Sequence, residues 1–345
     1  MSVTISDVAL AAGVSKGAVS HALNGNAGVS ESTRARILQV ASDLGWKPNL
    51  RAKALSTSKA FAVGLVVARD PRLLGTDPFF PAFIAGVEST LVENDFVLVL
   101  TSAMGQDKEE QSYRKLARDG RVDGVILTDV RVRDPRIALM RELGLAAVTL
   151  NRPEGVSSFP AVCMDDTEGI AGATRHLIAL GHERIAHVGG TQSYIHGCSR
   201  RRAWEGAMVR GGLKTDLFVE ADFTAAAGAA ATADLLRRRD RPTAIVFAND
   251  LMAIAGLSFA QSQGIAVPAD LSITGYDNTE LASFLNPPLT TISTDPVLWG
   301  RVAAQVLLDE LNGVRSGDIV LPEPQLVLGG STGPAPSMDF ANSPD

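Results

Sequence analysis

Apolar positions are spaced differently before and after about residue 60. In the first 45 residues the spacing is helical and the runs are short. Thr4-x-x-Asp7 forms a capping box at the start of one helix, and Gly13 stops it after Ala9, Ala11 and Ala12. Ser15 can cap a second helix through Lys16, Ala18, Val19, His21, Ala22 and Leu23, broken by Asn24-Gly25-Asn26. A third begins near Ser30 and sets Ile37, Val40, Ala41 and Leu44 on one stripe before Gly45 and Pro48 end it. Two helices joined by a tight glycine-containing turn, with a third to cover their apolar faces, predict a helix-turn-helix unit.

From residue 61 the pattern becomes short apolar runs alternating with amphipathic stretches. The runs are 61–68, 96–100, 124–128, 146–150, 161–164, 185–189, 244–248 and 272–275; helical patterns lie between most of them, at 83–93, 109–118, 167–180, 200–210, 225–239 and 251–263. Strands alternating with helices predict parallel sheet covered on both faces. Eight such strands fit either one barrel or two open sheets in separate lobes, and ligands of open sheets bind beyond the strand carboxyl ends.

Length agrees with this division, since 345 residues exceed what one core organises. Charge sharpens it. Residues 1–60 carry seven basic and three acidic side chains, whereas the remainder carries 25 basic and 35 acidic ones. A small basic unit joined to a large acidic body suggests that only the first part meets a polyanion. Lys16, Ser20 and His21 supply exposed polar groups on the second helix for that purpose.

Other chemistries find little support. The amino terminus lacks the basic and apolar regions of a secretory signal and no apolar run is long enough to span a bilayer, so a cytoplasmic protein without membrane contact is expected. Cys163 and Cys198 share no metal or redox spacing, and the five histidines, including His176 and His182, form no ligand pattern; neither metal nor cofactor is expected. Gly13-Val-Ser-Lys-Gly17 matches the nucleophile-elbow pattern, but a helical stretch precedes Ser15 where that chemistry needs a strand. Phosphate-loop, zinc-protease and dinucleotide motifs are missing, and no enzyme is predicted.

The run from Val3 to Asn24, continued by 29–38 and by Leu44-Gly-Trp-Lys-Pro-Asn49, closely resembles the headpiece of the LacI/GalR family of bacterial transcription regulators. Pro78-Phe-Phe80, Leu150-Asn-Arg152, 176–182, Ala248-Asn-Asp250, Gly275-Tyr-Asp277 and 288–292 resemble that family's sensor domain, in order along the chain. The resemblance implies an all-α helix-turn-helix headpiece at 1–47, a hinge helix at 48–60, and an α/β two-lobed periplasmic-binding-protein-like effector domain at 61–330. The N-lobe would take about 61–160 and 290–325, the C-lobe about 161–289, and 331–345 would be a loose tail.

By position, the resemblance assigns Thr4, Ser15, Lys16, Gly17, Ser20, His21, Asn24, Ala52 and Leu55 to DNA, with Leu55 as an apolar wedge in the minor groove. Gly17 stands where the family usually has a base-contacting side chain, which leaves the operator sequence open. Phe79, Phe80, Asn151, Arg200, Phe223, Asn249 and Asp277 would bind the effector, offering fixed donors and acceptors to hydroxyls and aromatic faces to a sugar's C–H surface. Without the resemblance, the phenylalanines read as core, Asp277 as a turn residue and Asp250 as a helix cap. The implied protein is a homodimeric repressor of a carbohydrate-related operon, reading palindromic operator DNA under control of a sugar-like effector. A purine or sugar phosphate effector is the alternative. A sugar-transport component and a hydrolase built on Ser15 are the rivals.

Overall fold

Gly13 takes φ +64°, the left-handed conformation that lets a chain leave one helix and start another at once. It closes α1 (Ile5–Ala12), which is followed by α2 (Lys16–Leu23) and α3 (Glu31–Asp43). The computed structural model describes residues 3–23, 27–46, 57, 59–155 and 157–336, and the chain separates into two units, Met1–Lys59 and Ala60–Asp345. In the first unit, Val8, Ala12, Val19, Ala22, Ile37 and Ala41 share one core. Eight-residue helices are marginal alone, so this shared burial is what holds them. The expected α3 stripe is shorter than its sequence suggests, because the helix ends at Asp43 and Leu44 is 39% exposed. The hinge residues Ala52 and Leu55, and Asn24, lie outside the described residues.

The second unit contains two open parallel sheets. In the N-lobe, β1 (Ala62–Val67), β2 (Val97–Ser102), β3 (Gly124–Leu127), β4 (Ala146–Leu150), β5 (Ala161–Cys163) and β11 (Ile319–Val320) run in the order β11-β5-β4-β3-β1-β2. Val63, Leu65 and Val67 point to one buried face while Ala62 and Val66 point to the other. This is the two-sided burial that continuous apolar runs predict. In the C-lobe, β6 (Ile185–Gly189), β7 (Phe218–Glu220), β8 (Ala244–Phe247) and β9 (Ser272–Thr274) form the order β7-β6-β8-β9. Ile245 and Phe247 face one core, Ala244 and Val246 the other.

The lobe boundaries differ from expectation. β5 belongs to the N-lobe because it pairs with β4 and β11, whereas β10 (Thr291–Ser293) pairs with β12 (Gln325–Val327), and Ile292 and Leu326 pack into a C-lobe core. The chain therefore crosses between lobes near 164–165, 294–295 and 321–324. The tail also departs from expectation over 331–335. Ser331 Oγ donates to Ile273 O at 2.6 Å and accepts from Thr290 N at 2.8 Å, while Ala335 N donates to Leu180 O at 2.9 Å. These bonds satisfy backbone groups of the C-lobe, so the segment is part of the fold.

Between lobes, a short backbone ladder closes one side of the cleft: Val132 N donates to Ser193 O at 3.0 Å and Ile195 N to Val130 O at 2.9 Å. On the N-lobe's outer layer, α5 (Phe79–Glu93) meets α12 (Pro296–Leu311) backbone to backbone. A methyl group on Gly86 would stand 2.1 Å from Val297 O, and one on Gly300 would stand 2.2 Å from Phe83 O. Neither carbonyl can turn aside without breaking a helix. Gly86→Ala is expected to destabilise the second unit by about 1–3 kcal/mol despite the better helix propensity of alanine; urea unfolding of variant and parent should show the loss, and an unchanged midpoint would refute the close contact.

Candidate functional site

Parallel sheets place all their strand carboxyl ends on one edge, and here the two edges face each other across a cavity of about 70 Å³. Arg69 follows β1, Asp129 follows β3, Asn151 follows β4, Asn249 follows β8 and Asp277 lies just beyond β9. All five line the cavity, joined by Asp77, Phe79, Asp166, His196, Arg200, Phe223 and Trp299 among others. Backbone strain concentrates in the same place: Asp129, Asn151, Phe223 and Asp277 have φ of 50°, 70°, 69° and 116°. A bulky phenylalanine adopts such a φ only when its surroundings dictate it. One of these is Gly190, where a methyl group would stand 1.8 Å from the Phe223 ring.

Two guanidinium groups organise the polar lining. Arg69 donates from Nε to Asp129 Oδ2 at 2.6 Å and from Nη2 to the other carboxylate oxygen, with Asp77 at 3.9 Å. Its Cζ lies 4.9 Å from the Phe223 ring centre and 5.3 Å from that of Tyr194, so an N-lobe cation rests on C-lobe aromatics. Burial opposes both charges, yet the pairing prevails: the Arg69 pKa is raised and that of Asp129 lowered. Arg200, on α9 (Ile195–Arg210), donates to Ala248 O at 2.5 Å and to Asp166 Oδ1 at 3.3 Å, and lies 3.7 Å from the Tyr276 ring centre.

Of the residues expected from the sequence, Phe79, Asn151, Arg200, Phe223, Asn249 and Asp277 come together around this cavity. Phe80 does not line it: only 1% exposed, it packs in the N-lobe core beneath Phe79, edge to face at 5.4 Å. Consecutive helical residues point some 100° apart, which is why only one of the pair can face the cleft. Asn249 has a mostly structural job. Its Oδ1 caps α11 (Asp250–Ser262) by accepting from Met252 N at 3.0 Å, and its Nδ2 holds Phe223 O at 3.0 Å, leaving one N–H over. Asp250, expected as the cap, is instead the first helical residue, and its carboxylate accepts from Thr291 Oγ1 at 2.5 Å and Thr279 N at 2.7 Å. Burial raises its pKa to about 6. Burial likewise raises that of Asp277, helped by the charges of Asp250 and Asp77 against the pull of Arg200.

In the first unit, Lys16, Gly17 and His21 are exposed on α2 and Ser20 is half-buried. Thr4 and Ser15 also serve as caps: Asp7 Oδ2 accepts from Thr4 N at 2.7 Å, and Ser15 Oγ accepts from Ala18 N at 3.1 Å. His21 Nδ1 donates to Ala27 O at 2.9 Å, which fixes the ring and leaves Nε2 for another partner.

The sequence reading missed Arg69, Asp77, Asp129, Asp166, His196 and Trp299. Arg69 and Asp129 had a usable signal, because each follows directly on an apolar run and so sits at a strand's carboxyl end. The others come from helix termini and a distant helix, and no local pattern marks them.

His196 tests the burial of the cavity wall. Burial first, then the charge of Arg200, lowers its pKa to about 4. A histidine depressed in the folded state contributes full stability above its unfolded pKa near 6.5, and that contribution disappears as pH falls towards 4. In His196→Phe, the decline in unfolding free energy between pH 6.5 and 4 should be smaller by about 1–3 kcal/mol; parallel declines would show that the imidazole titrates freely.

Known proteins resemble the chain over most of its length. The profile described as "Bacterial regulatory proteins, lacI family" matches residues 4–49, and that described as "Periplasmic binding protein-like domain" matches residues 174–332. The HTH-type transcriptional regulator CelR of Thermobifida fusca is 34% identical over 90% of the chain and 92% of that protein. The transcriptional repressor CytR of Escherichia coli strain K12 is 33% identical over 95% of the chain and 96% of its own length. Among solved structures, a CelR–cellobiose complex superposes with a TM-score of 0.74 at 32% identity, covering 95% of this chain and 99% of that one. A lac repressor dimer bound to operator and an anti-inducer superposes at 0.80 with 27% identity, covering 96% and 100%.

Proposed function

The chain belongs to the lacI family of bacterial regulatory proteins and is a DNA-binding transcriptional regulator, and from that premise we propose that it represses a carbohydrate-related operon under the control of a small sugar. The observation that carries the reading is the cleft itself, where paired carboxylates and guanidinium groups meet aromatic faces at the facing strand ends. Phe79, Phe223 and Trp299 offer flat apolar surface to sugar C–H groups, and Asn151, Asp277 and Arg200 offer polar atoms to hydroxyls. Arg200 Nε and Asp166 Oδ2 are buried without a hydrogen-bond partner, a cost that a polar ligand in the adjoining cavity would relieve. The complex of a relative with cellobiose supports a sugar over a purine.

The regulator acts as a cytoplasmic homodimer in this reading, each headpiece taking half of a palindromic operator and Leu55 wedging the central step. It works by binding alone, without catalysis. Ligand and operator each favour one arrangement of the same lobes, so each alters the other's affinity by the same factor.

Titration of labelled palindromic duplexes at two salt concentrations, with and without sugars, tests this. A cognate site should be held at roughly 10⁻⁸ to 10⁻¹¹ M, more weakly at higher salt. Indifference to every duplex would end the proposal. Lys16→Ala should lower the salt slope by about one unit if it meets a phosphate. Leu55→Ala should weaken operator binding and leave sugar affinity unchanged; equal operator affinity in that variant excludes the wedge.

A further inference from the structure

The cleft's charges narrow the ligand further than hydroxyl recognition does. Among the described residues that line it, the cations are Arg69 and Arg200, and each already has a carboxylate partner, Asp129 for the first and Asp166 for the second. Two more carboxyl groups, Asp77 and Asp277, share the lining. Asp77 is 5% exposed and accepts from Phe79 N at 3.1 Å. The layer behind does not reverse the balance. Arg131 and Arg136 are taken up by Glu109 and Asp134, and Asp250 adds another carboxyl group beneath Asp277.

We infer that the cleft accepts an uncharged, hydroxyl-rich molecule and rejects its phosphate ester, with Asp129 as the specificity-determining residue because it keeps Arg69 neutralised. A phosphate brought here loses its hydration and meets in return no cation without a carboxylate partner, only the free Nε–H of an Arg200 whose charge Asp166 already balances. Ionised, Asp77 and Asp277 repel it; protonated, they offer no compensating charge. A neutral polyol loses far less on desolvation and can donate hydroxyls to the same carboxyl oxygens. The molecule sensed is thus one met before any phosphoryl transfer to it.

This inference rests on the sugar reading above, and one experiment separates the two. The full chain is titrated calorimetrically with glucose, ribose and cellobiose and with their phosphate esters, as wild type and as Asp129→Asn. Asparagine keeps the shape and tolerates the positive φ while releasing the Arg69 charge. The expected result is a neutral sugar that binds, an ester of that sugar that binds the wild type roughly a hundredfold or more weakly, and a gap reduced about tenfold or more in Asp129→Asn. Should an ester bind the wild type as tightly as its parent sugar, the charge argument is overturned while the sugar reading stands. Should none of the six bind, the sugar reading fails and takes this inference with it. The wild-type comparison decides the matter even if the variant does not fold.

Discussion

Two buried guanidinium groups and the carboxylates that hold them shape the cleft more than any other contact. Charges are removed from water at a cost of several kcal/mol each unless pairing and hydrogen bonding offset it. Arg69 meets this with a bidentate bond to Asp129, and Arg200 with Asp166, a backbone carbonyl and the face of Tyr276. The first pair lies within the N-lobe but presses its cation on Tyr194 and Phe223 of the C-lobe, so an ion pair within one lobe and a contact between the lobes meet at a single side chain. The second pair ties α9 to the start of α8 (Asp166–Ala179), where the chain has just crossed between lobes. Either arginine could be kept neutral-sided in this way only inside a preformed polar cage.

That cage is assembled from strand ends, and its geometry is strained. Four cavity residues occupy left-handed conformations, none of them glycine, and the Phe223 ring is seated against Gly190, where any side chain would collide with it. Strain at a site persists where the surrounding packing over-determines the backbone. The inner strands of both sheets are buried on both faces, and α5 and α12 are locked by mutual glycine contacts. The stable part of the fold thus supports an edge that could not hold its own shape.

The DNA-binding unit follows a different economy of structure. Three short helices share a core of small aliphatic side chains, and several polar residues expected to meet DNA also serve as caps. Thr4 and Ser15 stand at helix starts, and His21 at the end of α2 donates from Nδ1 to Ala27 O.

Much was legible in the residues alone. Gly13, Ser15 and the Ile37–Ala41 stripe define three helices, and eight apolar runs all became strands; for inner strands burial on both sheet faces demands such continuous hydrophobicity, while the run 96–100 became the part-exposed edge strand β2. The family resemblance added six residues that converge on the cavity. What the sequence did not reveal was tertiary in origin. Periodicity left a barrel and two open sheets equally open, and the resemblance chose the two lobes; the assignment of β5 and β10 to their lobes and the docking of 331–335 depend on which edges pair, and edge pairing is set by contacts distant in the chain. Phe79 and Phe80 are indistinguishable as letters, and only the rotation of α5 against the core decides which one meets the cleft. Periodicity fixes how a segment buries its own faces; the partners of a buried charge are chosen by three-dimensional proximity, which no spacing along the chain encodes.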